Sequence, residues 1–442
     1  MNLDELLSQV SIIGAAGKMG SGISTLIAQQ VALLKINNPD RIYRINLIDV
    51  NEKGMDGLQR YIKTQLRKVA EKSIVSLRHA YESREDLVEN WEIINAFIDE
   101  AIEALRFDTD MNLARNSKLV FEAVIENEDL KVKILKNLKE ICSESTFFFT
   151  NTSSIPIGFL DREAGLQGRI IGYHFYNPPI VQKLVEIIAA DNTRPELKTM
   201  ADELGKRLRK KLIPSNDIAG FIGNGHFSRD GLFGISEVMK IKEKYTFPGA
   251  IYIMNRITQE FLVRPMGIFQ LIDYVGIDVF QSILKVMTKH LQEDHLHSEL
   301  IDRFMEKNVK GGQRADGSQK DGFFQYKNNR PAGVYDIEKE EYVPIENFNE
   351  SLDSAIGDLP EGYLPWRKLV AEPDKEAMLL SYFKNLAKAD NPGAELAIIY
   401  LKRTKEIGEE LIHQGVANNK KDVNEVLMNG FYWLYGPVND YV

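Results

Sequence analysis

Cysteine is almost missing from this chain. Cys142 is the single one in 442 residues, which excludes an internal disulfide and fits a reducing compartment. Long apolar runs are missing too, and no window has the length of a membrane span. Met1-Asn2-Leu3-Asp4-Glu5-Leu6-Leu7 offers neither a basic segment nor an apolar stretch long enough for a secretory leader, so a cytoplasmic location is expected. Basic residues are in deficit, 55 Lys and Arg against 64 Asp and Glu, for a net charge of −9. That balance argues against nucleic acid or an anionic membrane as the main partner, while leaving room for a local basic pocket around a phosphorylated ligand. His290, His295 and His297 stand in a polar stretch without cysteine and fit no common zinc spacing, so no metal site is expected. What is present is ordinary for a globular chain: 44% apolar and 27% charged residues, at a length that requires two or three domains.

The amino-terminal part has a definite order. Residues 10–13 are a short apolar strand running into Gly14-Ala15-Ala16-Gly17-Lys18-Met19-Gly20. A helix is predicted from about Met19, with Ile23, Leu26, Ile27, Val31 and Leu34 on its apolar face, and a strand over 42–48 ends at Asp49. Strand, glycine turn, helix, strand and acidic residue are the setting of a dinucleotide fingerprint. Gly14, Gly17 and Gly20, with Lys18 and Met19 between them, form the candidate cofactor-binding turn, where backbone can approach a pyrophosphate at a helix amino terminus. Met19 also reads as a core side chain. Asp49 would accept hydrogen bonds from the adenosine ribose and repel a 2′-phosphate, and Val50, Asn51, Glu52 and Lys53 supply no arginine to offset that. NAD is therefore expected rather than NADP. The glycines are spaced one residue wider than in G-x-G-x-x-G, which leaves room for a bulge in the loop.

Two charged amphipathic helices over 53–72 and 85–105 come next, then a strand over 118–124, a helix over 129–142 and a strand over 146–150. Asn151-Thr152-Ser153-Ser154 follows at the carboxyl end of that strand, where ligands bind in open α/β sheets. Its hydroxyls either orient a substrate oxygen or cap a helix. The most informative segment is Tyr173-His174-Phe175-Tyr176-Asn177-Pro178-Pro179, followed by Glu186 in Lys183-Leu184-Val185-Glu186-Ile187-Ile188. Histidine titrates near neutrality and can take a proton from an alcohol while a hydride leaves the adjacent carbon. A carboxylate on the far ring nitrogen would fix the tautomer and stabilise the imidazolium. Oxidation of a secondary alcohol by a nicotinamide cofactor is the expected chemistry. Lys206-Arg207-Leu208-Arg209-Lys210-Lys211 reads as the solvated carboxyl end of a helix, where cations suit the dipole.

Taken together, Glu122-Ala123-Val124-Ile125-Glu126-Asn127, Asn151-Thr152-Ser153-Ser154, His174-Phe175-Tyr176-Asn177-Pro178, Lys183-Leu184-Val185-Glu186 and Asn216-Asp217-Ile218-Ala219-Gly220-Phe221-Ile222-Gly223-Asn224 resemble the L-3-hydroxyacyl-CoA dehydrogenase family over about residues 10–326. The resemblance implies an α/β Rossmann-type NAD-binding domain over 1–216 with a helical hairpin insertion, then an all-α carboxyl-terminal region. It implies NAD-dependent interconversion of an L-3-hydroxyacyl-CoA and its 3-keto form, in fatty-acid metabolism. His174 would be the general base and Glu186 its electrostatic partner, with Ser153 and Asn224 bonding the reacting oxygen or the thioester carbonyl. Ala123 and Glu126 would line the nicotinamide side of the cofactor groove. Asn151 is counted with the cofactor contacts, as is Lys133 behind a loop lengthened by Glu128-Asp129. Lys72 matches a CoA-binding lysine, although Gln65 stands where the family has serine. Two other readings stay open: the same dyad acting on a free hydroxy acid or sugar acid, and a non-catalytic NAD-binding scaffold.

Beyond Asp217 the pattern turns helical. The family's helical domain is expected over 217–326, where it would close over substrate and build a dimer contact. Residues 327–353 read as a linker with a small hairpin, Val334-Tyr335-Asp336 toward Glu341-Tyr342-Val343. Residues 354–442 resemble a second, partial copy of the helical module in Gly415-Val416-Ala417, Lys421-Asp422-Val423 and Tyr432-Trp433-Leu434-Tyr435-Gly436-Pro437, with Gly436 matching Gly267. Asn224 has no counterpart there, so the copy is assigned no chemistry. The two copies are expected to pack on each other inside one chain, which would be a monomer or a homodimer.

Overall fold

The computed structural model describes residues 2–292, 296–314 and 317–441, so His295 lies outside the described residues. The chain divides into two compact units, Met1–Asp217 and Ile218–Val442.

The first unit is built on eight strands: β1 (Gln9–Ile13), β2 (Arg44–Ile48), β3 (Leu105–Asp108), β4 (Leu119–Glu122), β5 (Phe147–Thr150), β6 (Ile170–Phe175), β7 (Leu184–Ile188) and β8 (Lys211–Ser215). Their order across the sheet is β3-β2-β1-β4-β5-β6-β7-β8. Every neighbouring pair is parallel except β6 and β7. The central strands β4, β5 and β6 are buried along their whole length, the pattern of a sheet covered on both faces. Strand order reverses at β1, which lies between β2 and β4, and that reversal opens the crevice where α/β sheets bind ligands. The helix expected over 85–105 is shorter, Asn90–Glu103, and the chain then enters β3. Leu105 is buried while Arg106 and Asp108 are exposed, an alternation that suits an edge strand paired to β2.

The second unit is helical with one addition. Its leading elements are the helices Phe221–Tyr245, Phe247–Arg256, Ile268–Val275 and Ile277–Leu291. Helices Lys375–Leu386, Pro392–His413 and Lys420–Gly430 come later. Between these groups, the stretch expected to be a linker is built into the unit as a small antiparallel sheet, β11-β10-β9, of β9 (Phe324–Lys327), β10 (Arg330–Asp336) and β11 (Glu341–Pro344). Val334, Tyr335 and Asp336 pair with Val343, Tyr342 and Glu341. Buried Phe324, Val334 and Tyr335 join the core of the helices. This sheet is a departure from an all-α region.

The two helical copies share a local device. A Cβ at Gly267 would lie 2.3 Å from both oxygens of Asn255, and one at Gly436 would lie 2.0 Å from Cγ of Asn424. Gly267 follows Asn255 at the same interval as Gly436 follows Asn424. Each asparagine Oδ1 accepts a backbone N–H just past its glycine, from Gln270 at 3.0 Å and from Val438 at 2.9 Å. Only glycine admits that approach. The copies also pack on each other: Tyr382, Tyr400 and Tyr435 donate to the carbonyls of Phe261, Asp230 and Leu262. Arg264 pairs with Asp230 at 2.9 Å, bonds Thr404 and lies 3.8 Å from the Trp433 ring centre.

Candidate active site

The glycine turn follows β1 directly. Gly14 has φ +79°, and a Cβ there would lie 2.7 Å from the Ala123 carbonyl oxygen, so the turn presses against the end of β4. Gly17 N–H donates to the Gly14 carbonyl and closes the wider loop as a turn. A Cβ on Gly20 would collide with the same carbonyl at 2.0 Å. The helix Lys18–Asn37 then starts with no acidic residue in its first turn, which suits an anion. Met19 packs partly against the core. Asp49, at the end of β2, accepts from Ala16 N–H and Asn51 N–H, one on each oxygen at 2.9 Å. It therefore braces the glycine turn, and each oxygen retains acceptor capacity for a ribose hydroxyl. These residues fit a dinucleotide.

A second cluster is centred on Glu126. Its Oε1 accepts from Thr152 Oγ1 at 2.7 Å, Ser154 Oγ at 2.8 Å, Ser153 Oγ at 3.3 Å, and the backbone N–H groups of Ser153 and Ser154 at 2.9 Å. The hydroxyls of this turn thus converge on a carboxylate. The next helix, Ile157–Ala164, receives its cap from Asp217 instead, which accepts from Ile157 and Gly158 N–H. Beneath lies Lys131, 1% exposed, whose Nζ is 2.8 Å from Glu122 Oε1 and 3.5 Å from Glu126 Oε2. Burial opposes the charge on Glu126, but Lys131 and the hydroxyl donors outweigh it and hold the carboxyl below its usual range. Burial likewise opposes the charge on Lys131, and the two carboxylates outweigh it. Asn151 ties this turn to the next strand, because its Oδ1 accepts from Phe175 N–H at 2.9 Å.

That strand carries His174. In the antiparallel β6–β7 pair His174 stands directly opposite Glu186, and its Nδ1 is 3.0 Å from Glu186 Oε2. The histidine keeps 7% exposure and the carboxylate none, so a ligand could meet the pair only through the ring. Tyr176, which sequence reasoning left unassigned, donates to the same Oε2 at 2.7 Å. Lys210, expected in a solvated basic run, is turned inward: its Nζ donates to the carbonyls of Pro179 at 2.5 Å and Gln182 at 2.6 Å. Burial pulls its pKa down to about 8. It anchors the loop that joins His174 to Glu186.

The structure therefore brings together Gly14, Gly20, Ala123 and Asp49 at the first crevice, and Glu126, Asn151 and Ser153 beside the His174–Glu186 pair. It does not bring Lys133 to that cluster. Lys133 is on the exposed face of the helix Glu128–Ile141, because Glu128-Asp129 open that helix and its phase turns Lys131 inward. Lys72 is exposed on the last turn of Glu52–Lys72, and Asn224 is in the first turn of Phe221–Tyr245 in the second unit. Among the described residues no group of three or more His, Cys, Asp or Glu is arranged to hold a metal.

Known proteins match this architecture. The family model "3-hydroxyacyl-CoA dehydrogenase, NAD binding domain" matches residues 9–218, and "3-hydroxyacyl-CoA dehydrogenase, C-terminal domain" matches 254–321. The chain is 29% identical to a probable 3-hydroxybutyryl-CoA dehydrogenase of Bacillus subtilis, over 72% of this chain and 98% of that one. It is 28% identical to a glyoxysomal fatty acid beta-oxidation multifunctional protein of Brassica napus over 88% of its own length, and spans 46% of that longer protein. The crystal structure of an Escherichia coli 3-hydroxybutyryl-CoA dehydrogenase shares the fold across 98% of this chain and 90% of that one, with TM-score 0.63 and 20% identity. The chain belongs to the 3-hydroxyacyl-CoA dehydrogenase family, NAD-dependent oxidoreductases.

Proposed function

We propose that this chain interconverts an L-3-hydroxyacyl-CoA and the corresponding 3-ketoacyl-CoA, with the His174–Glu186 pair as its acid/base. The observation that carries the reading is the 3.0 Å contact between His174 Nδ1 and Glu186 Oε2 on directly opposed residues of β6 and β7. With Nδ1 given to the carboxylate, proton exchange with substrate falls to Nε2. Bound NAD supplies the hydride acceptor. His174 takes the proton of the C3 hydroxyl as that carbon is oxidised, and returns it in the reverse direction. Glu186 holds the ring in one tautomer and stabilises the imidazolium. Ser153 Oγ, 3.3 Å from Glu126 Oε1, would donate to the reacting oxygen on turning its single proton from that carboxylate to bound substrate, and Asn224 is assigned a like role on the family resemblance. Asp49 and the glycine turn hold the adenosine end of NAD.

Lys72 and Asn224 carry the CoA side of the reading by resemblance alone, which keeps a free hydroxy acid as the competing substrate. The deciding experiment follows NADH absorbance with acetoacetyl-CoA and, in parallel, with free acetoacetate. Oxidation with the thioester and not with the free acid is the expected result. Oxidation with the free acid alone would reassign the substrate, and NADH binding without turnover on either would leave a binding protein.

A further inference from the structure

We propose that the Tyr176 hydroxyl is a positioning group for the histidine–glutamate pair, fixing the Glu186 carboxylate and tempering its pull on the imidazole. The inference rests on the acid/base reading above. Glu186 Oε2 accepts twice, from the His174 ring side at 3.0 Å and from Tyr176 O–H at 2.7 Å. His174 stands opposite Glu186 in the β6–β7 pair, and Tyr176, one residue past the end of β6, reaches the same carboxylate. The two rings lie 4.7 Å apart at 37°, packed as neighbours. A phenylalanine would keep that packing and lose the hydrogen bond.

The tyrosine is a permanent donor. Burial and the Glu186 charge push its hydroxyl well above its ordinary value, so it stays protonated wherever the enzyme works. A fixed O–H bond to Oε2 prevents the carboxylate from rotating off the ring. It also draws charge from the oxygen that faces the imidazole, so an imidazolium is stabilised less than by an unshared carboxylate. Glu186 is the charge that bears on Tyr176. On β8 the residue opposite Glu186 is Ile213, and the β5 turn contributes neutral Asn151. Lys183 and Lys211 stand at the start of β7 and β8, joined through their backbones, and Glu126 is engaged by Lys131 and the hydroxyl turn.

The test uses the full chain and its Tyr176→Phe variant, with two readouts. One is the pH profile of kcat/KM for 3-hydroxybutyryl-CoA oxidation. The other is an NMR titration of carbon-labelled histidine in the free protein, with the His174 signal assigned by its loss in His174→Ala. The expected result is an acid limb and a His174 titration midpoint that both rise by about half to one pH unit, on the scale of one hydrogen bond to a charged group. Activity at neutral pH then falls by ~3- to 10-fold and returns at alkaline pH, with NAD binding unchanged. Profiles and midpoints that coincide with the native protein, or a loss equal at every pH, would overturn the proposal. Full activity in His174→Ala would overturn the acid/base reading instead, while the NMR midpoint would still report on Tyr176.

Discussion

His174 and His226 are both buried histidines, one in each unit, and they differ in what meets the ring. His174 faces the Glu186 carboxylate across a strand pair. His226 has no exposure, its Nε2 meets the Thr404 carbonyl at 3.2 Å, and its Nδ1 has no hydrogen-bond partner among the described residues. Trp433 stands edge-on at 5.5 Å. Burial dominates there: it drives the His226 pKa down to about 4, with Arg264 and Arg229 adding to the effect and Asp230 opposing it. A buried ring without a carboxylate is a neutral structural group. The β6–β7 register gives His174 a carboxylate on its ring, which His226, inside a helix, does not have within hydrogen-bond distance.

The contrast can be broken in four ways, the largest first. His174→Ala should lower turnover by ~10²- to 10⁴-fold with NAD affinity kept, measured by steady-state kinetics beside calorimetry. His226→Gln should stay within a few-fold of native in the same assay; a loss as large as that of His174→Ala would make burial, not the carboxylate, the common factor. Next is Lys131→Met, which strands Glu122 and Glu126 without their cation and should cost about 3–5 kcal/mol in urea unfolding. Lys133→Met should stay within ~0.5 kcal/mol, being exposed. Equal losses would put the wrong lysine in the cluster.

The third concerns pH. His226 titrates near its ordinary 6.5 when unfolded and at about 4 when folded, so the unfolded chain takes up the proton first as pH falls. Its stabilisation is complete above pH 6.5 and is lost progressively down to about pH 4, by roughly 3 kcal/mol. Unfolding followed across that range should show the loss in the native protein and a flatter curve in His226→Gln. Identical curves would mean that His226 charges in the folded state. The smallest effect is expected of Glu186→Gln, which keeps the shape and removes the charge: turnover should fall by about one to two orders of magnitude, less than for His174→Ala.

What could be read from the sequence was what is local along it. Gly14, Asp49, His174 and Glu186 each stand in a short motif, whereas the Thr152–Ser154 hydroxyls, expected on a substrate oxygen or a helix cap, converge on Glu126, a partner 26 to 28 residues away. Lys131 was hidden because its burial depends on which face of the helix Glu128–Ile141 meets the sheet, where it pairs with Glu122 and Glu126. Tyr176 was missed because it lies one residue past the end of β6, where strand alternation no longer fixes a side chain's direction, and its place shows only in the bond to Glu186. β3 escaped because it directly follows an amphipathic helix and is short. The hairpin pairing 334–336 with 341–343 was legible, whereas the third strand, β9, and the burial of Phe324, Val334 and Tyr335 in the core were hidden by the charged composition around them.

The central claim is that His174 and Glu186 act as one unit, and a double-mutant cycle tests it most directly. Turnover would be measured for the native chain, His174→Ala, Glu186→Gln and the double variant on acetoacetyl-CoA with NADH. If Glu186 works only through the ring, the double variant will be no slower than His174→Ala alone. Losses that multiply would contradict the account and assign Glu186 a role of its own.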